Sequence, residues 1–315
     1  MKSIVVILSS DTSNVCNTNC IFCGLGHYKN TVNSSCQQTH FLNVNTDFLD
    51  QIKTNLVDTK QYDIVLTTGP FEPTMYSNMT DLVDKIKSRS IGVEIVTNGI
   101  LLDTIDDRVL RKIDRINVSL LSHDRDIYQQ LRDNGQYERV NENFVKLPRR
   151  VDSTTRLVCS TIICSETVDS LPVFCTFASD HGYIPTIDVI RPPWDNGFYN
   201  FPMLSFKYLF QLNLSKLEKT LNILINRFPS LMPSDYANNI LYYFQNILEK
   251  PGRDVSEPIC STRIIFYNPN GPIEERYMCP SKLVHSKSID DLETLVNKCT
   301  MWCGVIRCQN KYVEI

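Results

Sequence analysis

Residues 1 to 190 alternate short β-branched runs with charged stretches of helical period, and few folds accommodate that alternation. It is the mark of repeated βα units around a parallel sheet. Strands are expected at Ile4 to Leu8, Tyr62 to Thr67, Gly92 to Thr97, Arg115 to Leu120, Arg156 to Ile163 and Thr186 to Ile190. Helices fall between them, for example Thr80 to Ser88, with Leu82, Val83 and Ile86 on one face, and Asn141 to Leu147. The fold class is α/β. Six units are too few to close as an eight-stranded barrel does, so a partial (β/α)6 barrel is expected, curved and open on one side. Loops at the carboxyl ends of its strands are where chemistry is expected.

The remaining sequence changes character. Phe206, Leu209, Phe210, Leu214, Leu217, Leu221, Leu224 and Phe228 recur at three- and four-residue intervals, an amphipathic helix pattern stopped by Pro229 and Pro233. A second helix is expected from an N-cap at Ser234 or Asp235 to Leu248. From Glu257 the pattern reads as a strand, a turn at Asn268 to Gly271, another strand and a short helix. Three segments follow: a barrel over 1–200, a helical connector over 201–256, and a small α+β cysteine-rich module over 257–315.

Charge and cysteine usage narrow the function classes. A formal charge of −3 argues against a groove that neutralises many phosphates, so nucleic acid is not an expected partner. The opening MKSIVVILSS is too short for a secretory apolar region or a membrane span, and the expectation is a cytoplasmic protein with no membrane partner. Twelve cysteines in such a chain suggest metal binding or thiol chemistry rather than disulfides. Nine of them cluster at the two ends, Cys16, Cys20, Cys23 and Cys36, then Cys260, Cys279, Cys299, Cys303 and Cys308, with Cys159, Cys164 and Cys175 in the middle.

The first cluster, CNTNCIFC, places three thiols within eight residues straight after a strand. Three thiolates can hold three irons of a cubane and leave the fourth without a protein ligand. The same spacing can serve zinc, with His27 or Cys36 closing a tetrahedron.

This segment, with an aromatic residue before the third cysteine, resembles the signature of the radical S-adenosylmethionine superfamily. YDIVLTTGPFEPTMY is similar to the second strand and Gly-Gly-Glu-Pro segment of that family, VEIVTNGILL to its third strand and Thr-Asn-Gly turn, and RINVSLLS with DIYQQLRDNGQYERVNENFVKL to its fourth unit. The resemblance covers about residues 4 to 190. It implies a four-iron cluster ([4Fe–4S]) on Cys16, Cys20 and Cys23, whose open iron binds S-adenosyl-L-methionine. It further implies that Glu72 holds the methionine amino group, that Phe22 packs near adenine, and that Asn98 and Ser119 contact the cofactor, Ser119 at its ribose. Here Gly69-Pro70-Phe71 replaces the family's Gly-Gly, which puts the backbone contact there in doubt. For Phe22 a plain core role, and for Asn98 and Ser119 loop hydrogen bonding, stay open as alternatives.

The C-terminal cysteines resemble the extension called SPASM, or its shorter twitch form, which carries an auxiliary four-iron cluster. Four of Cys260, Cys279, Cys299, Cys303 and Cys308 would be ligands, Cys260 and Cys279 among them; a zinc site is the alternative. Cys164, at the end of the fifth strand, is a candidate hydrogen-atom donor or else a buried hydrophobe. Arg191 opens the aromatic segment RPPWDNGFYNFP and is a candidate substrate contact, or part of a packed connector.

The implied reaction is reductive cleavage of S-adenosylmethionine, then hydrogen abstraction from a small polar metabolite, amino-sugar or cyclitol in type, ending in oxidation or epimerisation. Flavodoxin or ferredoxin is the expected electron donor. Maturation of a ribosomal peptide by crosslinking or epimerisation is the second reading; the lack of an added N-terminal peptide-binding segment tilts the expectation toward a metabolite. A zinc-binding structural or regulatory protein is the reading from another class.

Overall fold

Side-by-side pairing of chain segments far apart in sequence builds one nine-stranded sheet in the computed structural model of the chain. The structure describes residues 4–8, 16–21, 64–68, 72–90, 92–133, 135–189, 212–249, 263–267, 274–278 and 283–284. Strand β1 (Ile4–Leu8) lies parallel to β3 (Ile64–Thr68), with Ile4 opposite Ile64. Then follow, all parallel, β4 (Gly92–Thr97), β5 (Arg115–Val118), β7 (Arg156–Ile163) and β8 (Ile184–Val189). Each of the six strands expected from the β-branched runs is therefore found, all parallel. Two-residue strands β2 (Asn19–Cys20) and β6 (Arg132–Asp133) pair separately.

On the other side of β1 runs β9 (Arg263–Tyr267), also parallel to it. β10 (Glu274–Met278) and β11 (Leu283–Val284) follow antiparallel. The hairpin expected around Asn268 to Gly271 is thus continuous with the barrel sheet through β1. With β8 and β11 at its two ends, the sheet stays open.

Two strand boundaries differ from the sequence reading, each for a physical reason. Leu120 and Leu121 are both buried but lie beyond the end of β5, where the backbone turns. The chain leaves β5 after Val118, Leu120 N and Ser122 N bond back to Val118 O and Leu120 O, and Leu121 takes φ 67°. β8 starts before Pro185 rather than after it. As an edge strand it has no second neighbour to miss the proline's absent N–H.

Helices cover one face of the sheet. α1 (Met79–Lys87) buries Met79, Leu82, Val83 and Ile86, its apolar stripe, and places Lys85 and Lys87 in its last turn against the helix dipole. Next come α2 (Asp107–Leu110), α3 (Arg125–Leu131), α4 (Tyr137–Lys146), α5 (Leu171–Asp180), α6 (Leu214–Arg227) and α7 (Ser234–Glu249). α2 and α3 begin at aspartate N-caps, Asp106 and Asp124, whose carboxylates accept first-turn N–H bonds. The long amphipathic pattern yields α6 with Asn213 as its cap; Phe206, Leu209 and Phe210 lie outside the described residues.

The core packs between this helical layer and Val93, Ile95, Ile116, Val118, Cys159, Ile163 and Ile187. At its centre Phe144 stacks on Tyr183 with ring centroids 3.9 Å apart, and on Phe177 at 5.5 Å. The Tyr183 hydroxyl donates to the Phe144 carbonyl at 2.7 Å. Phe144→Ala is expected to cost about 3–5 kcal/mol, through a cavity the stacked rings cannot fill; denaturant unfolding of wild type and variant measures it. Among the described residues no helix is long and apolar enough to cross a membrane.

Candidate active site

Alternation along the strands sends the opposite set of side chains to the face away from these helices. Glu94, Asn117, Ser160, Thr186 and Asp188 fall there, with Ser119 continuing the row past β5. This face carries polar groups. Arg115 donates to Glu94 at 3.4 Å, Ser160 and Ser119 hydroxyls lie 3.4 Å apart, and the Asn117 side-chain oxygen is buried with no hydrogen-bond partner among the described residues.

The cysteine loop is anchored at the carboxyl ends of these strands. β2 pairs with β6, Cys20 opposite Arg132, and Ile21 N donates to Leu131 O at 3.1 Å. Cys16 and Cys20 are both half-buried. The buried Thr18 hydroxyl stands between them, 3.2 Å from Cys16 Sγ and 3.7 Å from Cys20 Sγ. Cys23, Phe22, Cys36 and His27 lie outside the described residues.

Glu72 heads the single turn Pro73–Met75 and is 3% exposed. Its Oε1 accepts from Thr74 N at 3.1 Å, Thr74 Oγ1 at 2.5 Å and Thr97 Oγ1 at 2.6 Å. Its Oε2 accepts only from Asn98 N, at 2.8 Å, among the bonds described, so that oxygen keeps capacity for a further donor. Burial pushes the carboxyl above its ordinary range, and the four donors pull it back in part.

The Thr97-Asn98-Gly99 turn has a physical cause at each position. Thr97 Oγ1 donates to Glu72 and accepts from Gly99 N at 3.1 Å. Asn98 Oδ1 accepts from Ile100 N at 3.0 Å, an Asx turn that aims its amide nitrogen at the cysteine loop. That nitrogen donates to Asn17 Oδ1 at 2.6 Å and lies 3.8 Å from Cys16 Sγ. Gly99 has φ 84°, and a Cβ there would press on Val118 and Val140 at 3.2 Å. Cys16 is raised from its ordinary pKa by burial and then by the Glu72 charge.

The structure brings Cys16, Cys20, Glu72, Asn98 and Ser119 to one end of the sheet. Cys164 packs elsewhere: it is fully enclosed in the apolar core, its thiol 3.3 Å from Thr167 Oγ1 and pushed up to about 12 by burial. A thiol in such packing behaves as a small hydrophobe, as do Cys159 and Cys175. Arg191, Cys260, Cys279, Cys299, Cys303 and Cys308 lie outside the described residues.

Sequence reasoning missed Arg132, Thr18, Thr97 and Asn17. Arg132 joins the two halves of the site, since its guanidinium reaches Cys20 Sγ, Asn98 O and Ser119 O. In sequence it is one arginine at the end of a short helix. The only signal nearby is Gly135, where a Cβ would lie 2.6 Å from Tyr128 Cε1 and 2.9 Å from Arg132 Cγ.

Two cysteine sulfurs, a hydroxyl between them and a buried cation bonded to one of them form a soft sulfur donor set. That chemistry fits a thiolate-held four-iron cluster, and Glu72 Oε2 beside it fits an ammonium group.

Comparison with known proteins bears on the same residues. A curated protein of Brachyspira hyodysenteriae, named GTPase Obg, is 35% identical over 88 residues, 28% of this chain and 12% of that protein. Streptococcus suis SuiB, solved with its precursor peptide SuiA, aligns at a TM-score of 0.54 and 13% identity over 86% of this chain and 59% of SuiB. The protein anSMEcpe, solved with AdoMet and the Cp18Cys peptide, aligns at 0.53 and 14% identity over 97% of this chain and 88% of its own. The chain spans less than two thirds of the length of GTPase Obg and of SuiB. The two structures share its fold, an α/β partial barrel on a parallel sheet. The family model of the Radical SAM superfamily matches residues 11–171, which takes in the cysteine loop, Glu72, Asn98, Ser119 and Arg132. This chain belongs to the Radical SAM superfamily, whose members work with a four-iron cluster and S-adenosylmethionine.

Proposed function

We propose that this chain cleaves S-adenosylmethionine reductively and abstracts a hydrogen atom from a small polar metabolite of amino-sugar or cyclitol type, leading to its oxidation or epimerisation. The observation that carries the reading is one bonded set at the carboxyl ends of the strands: Cys16 to Asn98 to Glu72 on one side, Cys20 to Arg132 to Ser119 on the other.

Cys16, Cys20 and Cys23 hold the cluster. When bound, it supplies the electron that splits the sulfonium carbon–sulfur bond into methionine and a 5′-deoxyadenosyl radical. Glu72 Oε2 accepts from the methionine amino group, and Asn98 holds the Cys16 side of the loop against that carboxylate. Ser119 meets the ribose, and Phe22 the adenine. Ser160, Thr186, Asp188 and the Asn117 side-chain oxygen, which has no partner among the described residues, set hydrogen-bonding groups among the aliphatic side chains of the sheet face away from the helices, which supports a hydroxyl- or amino-bearing substrate. Arg191 is a further substrate contact. Electrons come from a small redox protein such as flavodoxin or ferredoxin. Cys260, Cys279 and two of Cys299, Cys303 and Cys308 form a twitch-like auxiliary cluster that can take the second electron of an oxidation.

The test is anaerobic purification and turnover in deuterated water with candidate amino sugars and cyclitols. About eight irons per chain are expected on the two-cluster reading, with 5′-deoxyadenosine formed on reduction. An isomeric product carrying one deuterium means epimerisation; a product lighter by two hydrogens means oxidation. Stoichiometric zinc without iron overturns the reading, and turnover confined to peptides overturns its substrate class.

A further inference from the structure

Arg132 is 3% exposed, and a buried guanidinium costs several kcal/mol unless its charge and its N–H groups are matched. Four of its five N–H groups have acceptors among the described residues. Nη1 donates to Asn98 O at 3.1 Å and Tyr128 Oη at 3.2 Å, Nη2 to Ser119 O at 2.9 Å, and Nε to Cys20 Sγ at 3.3 Å. Its charge is matched differently. Among the described residues no carboxylate forms an ion pair with it, and three of its four acceptors are neutral oxygens. The Tyr128 ring, 5.3 Å from the guanidinium carbon, offers only a weak partner. The acceptor able to carry a full negative charge is the Cys20 sulfur, which is a thiolate when it ligates iron.

We propose that Arg132 is a positioning residue for the radical-forming cluster and that its N–H bond to Cys20 Sγ raises the reduction potential of that cluster. The proposal rests on the cluster assignment above. Reduction adds negative charge to a cluster and its sulfurs, so a donor and a positive charge held beside one sulfur stabilise the reduced form more than the oxidised form. The residue also has the means to keep its place. Its backbone is paired to Cys20 through β2 and β6, so the sulfur and the guanidinium are fixed on the same two-residue ladder. Gly135 closes the other side: it lies so close that an added Cβ would sit 2.9 Å from both Cγ and O of Arg132. Through Asn98 O and Ser119 O the same side chain ties the cluster loop to the ends of β4 and β5, where S-adenosylmethionine is proposed to lie.

The experiment compares wild type, Arg132→Met, Arg132→Lys and Gly135→Ala, each as the full chain reconstituted with iron and sulfide without oxygen. The readouts are iron content, the electron paramagnetic resonance spectrum of the reduced cluster, and its midpoint potential by redox titration without substrate. Arg132→Met is expected to shift the potential to more negative values and to change the resonance spectrum. Arg132→Lys keeps the charge but not the fork that reaches all four acceptors, so its potential falls between the two. Gly135→Ala keeps the arginine but displaces it, and shifts the potential the same way by less. A wild-type potential in Arg132→Met overturns the proposal; should that variant not retain iron, wild-type potentials in both Arg132→Lys and Gly135→Ala overturn it. A wild-type protein that assembles no cluster refutes the cluster assignment itself, an outcome separate from these shifts.

Discussion

Cys20→Ala is expected to leave a folded protein that no longer forms 5′-deoxyadenosine. Cys20 is half-buried on a two-residue strand whose backbone pairing with Arg132 does not need the sulfur. The stability cost comes from Arg132, which loses one of its four acceptors; a buried donor left unpaired costs about 1–3 kcal/mol, a few degrees in unfolding temperature for a chain of this size. The chemical cost is larger. Removing one of three thiolate ligands leaves no stable cluster to accept and pass an electron, so product falls to background. Iron drops from about eight to about four per chain on the two-cluster reading. Iron assay, anaerobic product analysis and a thermal melt check the three parts separately. Full iron content with retained cleavage would remove Cys20 from the proposed ligand set.

Glu72→Gln is expected to spare the cluster and weaken the handling of S-adenosylmethionine. The carboxylate is acceptor-only, and all four of its described partners are donors. A glutamine can reproduce Oε1 and its three bonds. In place of Oε2 it puts an NH2 against the backbone N–H of Asn98, donor facing donor, at about 1–3 kcal/mol. That strain falls on Asn98, whose amide holds Asn17 beside Cys16. The amino group of the cofactor meets the same NH2 and loses its acceptor. A loss of about 10- to 100-fold in kcat/KM for S-adenosylmethionine cleavage is expected, at about 1.4 kcal/mol per tenfold, with unchanged iron content. Wild-type kinetics in this variant would mean that Glu72 serves only the packing of the Thr97 turn.

The two variants separate what a cluster ligand does from what a neighbour of the cluster does. Iron content changes in the first and not in the second. Variants of Arg132 are expected to differ from both, since their first effect is on a potential rather than on iron or on cofactor affinity.

Much of the fold was legible in the chain because it depends on periodicity. The β-branched runs at Ile4–Leu8, Gly92–Thr97 and Arg156–Ile163 coincide with β1, β4 and β7, and the three- and four-residue spacing of Leu217, Leu221 and Leu224 gives the buried stripe of α6. A strand that buries one face must alternate, and a helix that buries one stripe must repeat at 3.6 residues. Where the backbone turns back on itself after Val118, with Leu121 at φ 67°, the sequence reading ran the strand too long. The Thr-Asn-Gly turn and Glu72 were legible as motifs after strands, since the bonds within each segment, Gly99 N to Thr97 and Ile100 N to Asn98, or Thr74 to Glu72, are local.

The cysteine spacing, the βα alternation and the placement of Glu72 and Asn98 after strands were determined by the sequence alone, because each depends on neighbours along the chain. Only the tertiary structure decided which partners they meet. Glu72 and Thr97 lie 25 residues apart, and Cys20 and Arg132 lie 112 apart. No local pattern encodes either contact; the register of β3, β4 and β5 and the short β2–β6 ladder bring them together. A buried arginine is ordinary in composition and becomes functional by what surrounds its charge, and that surrounding exists only once the sheet has formed.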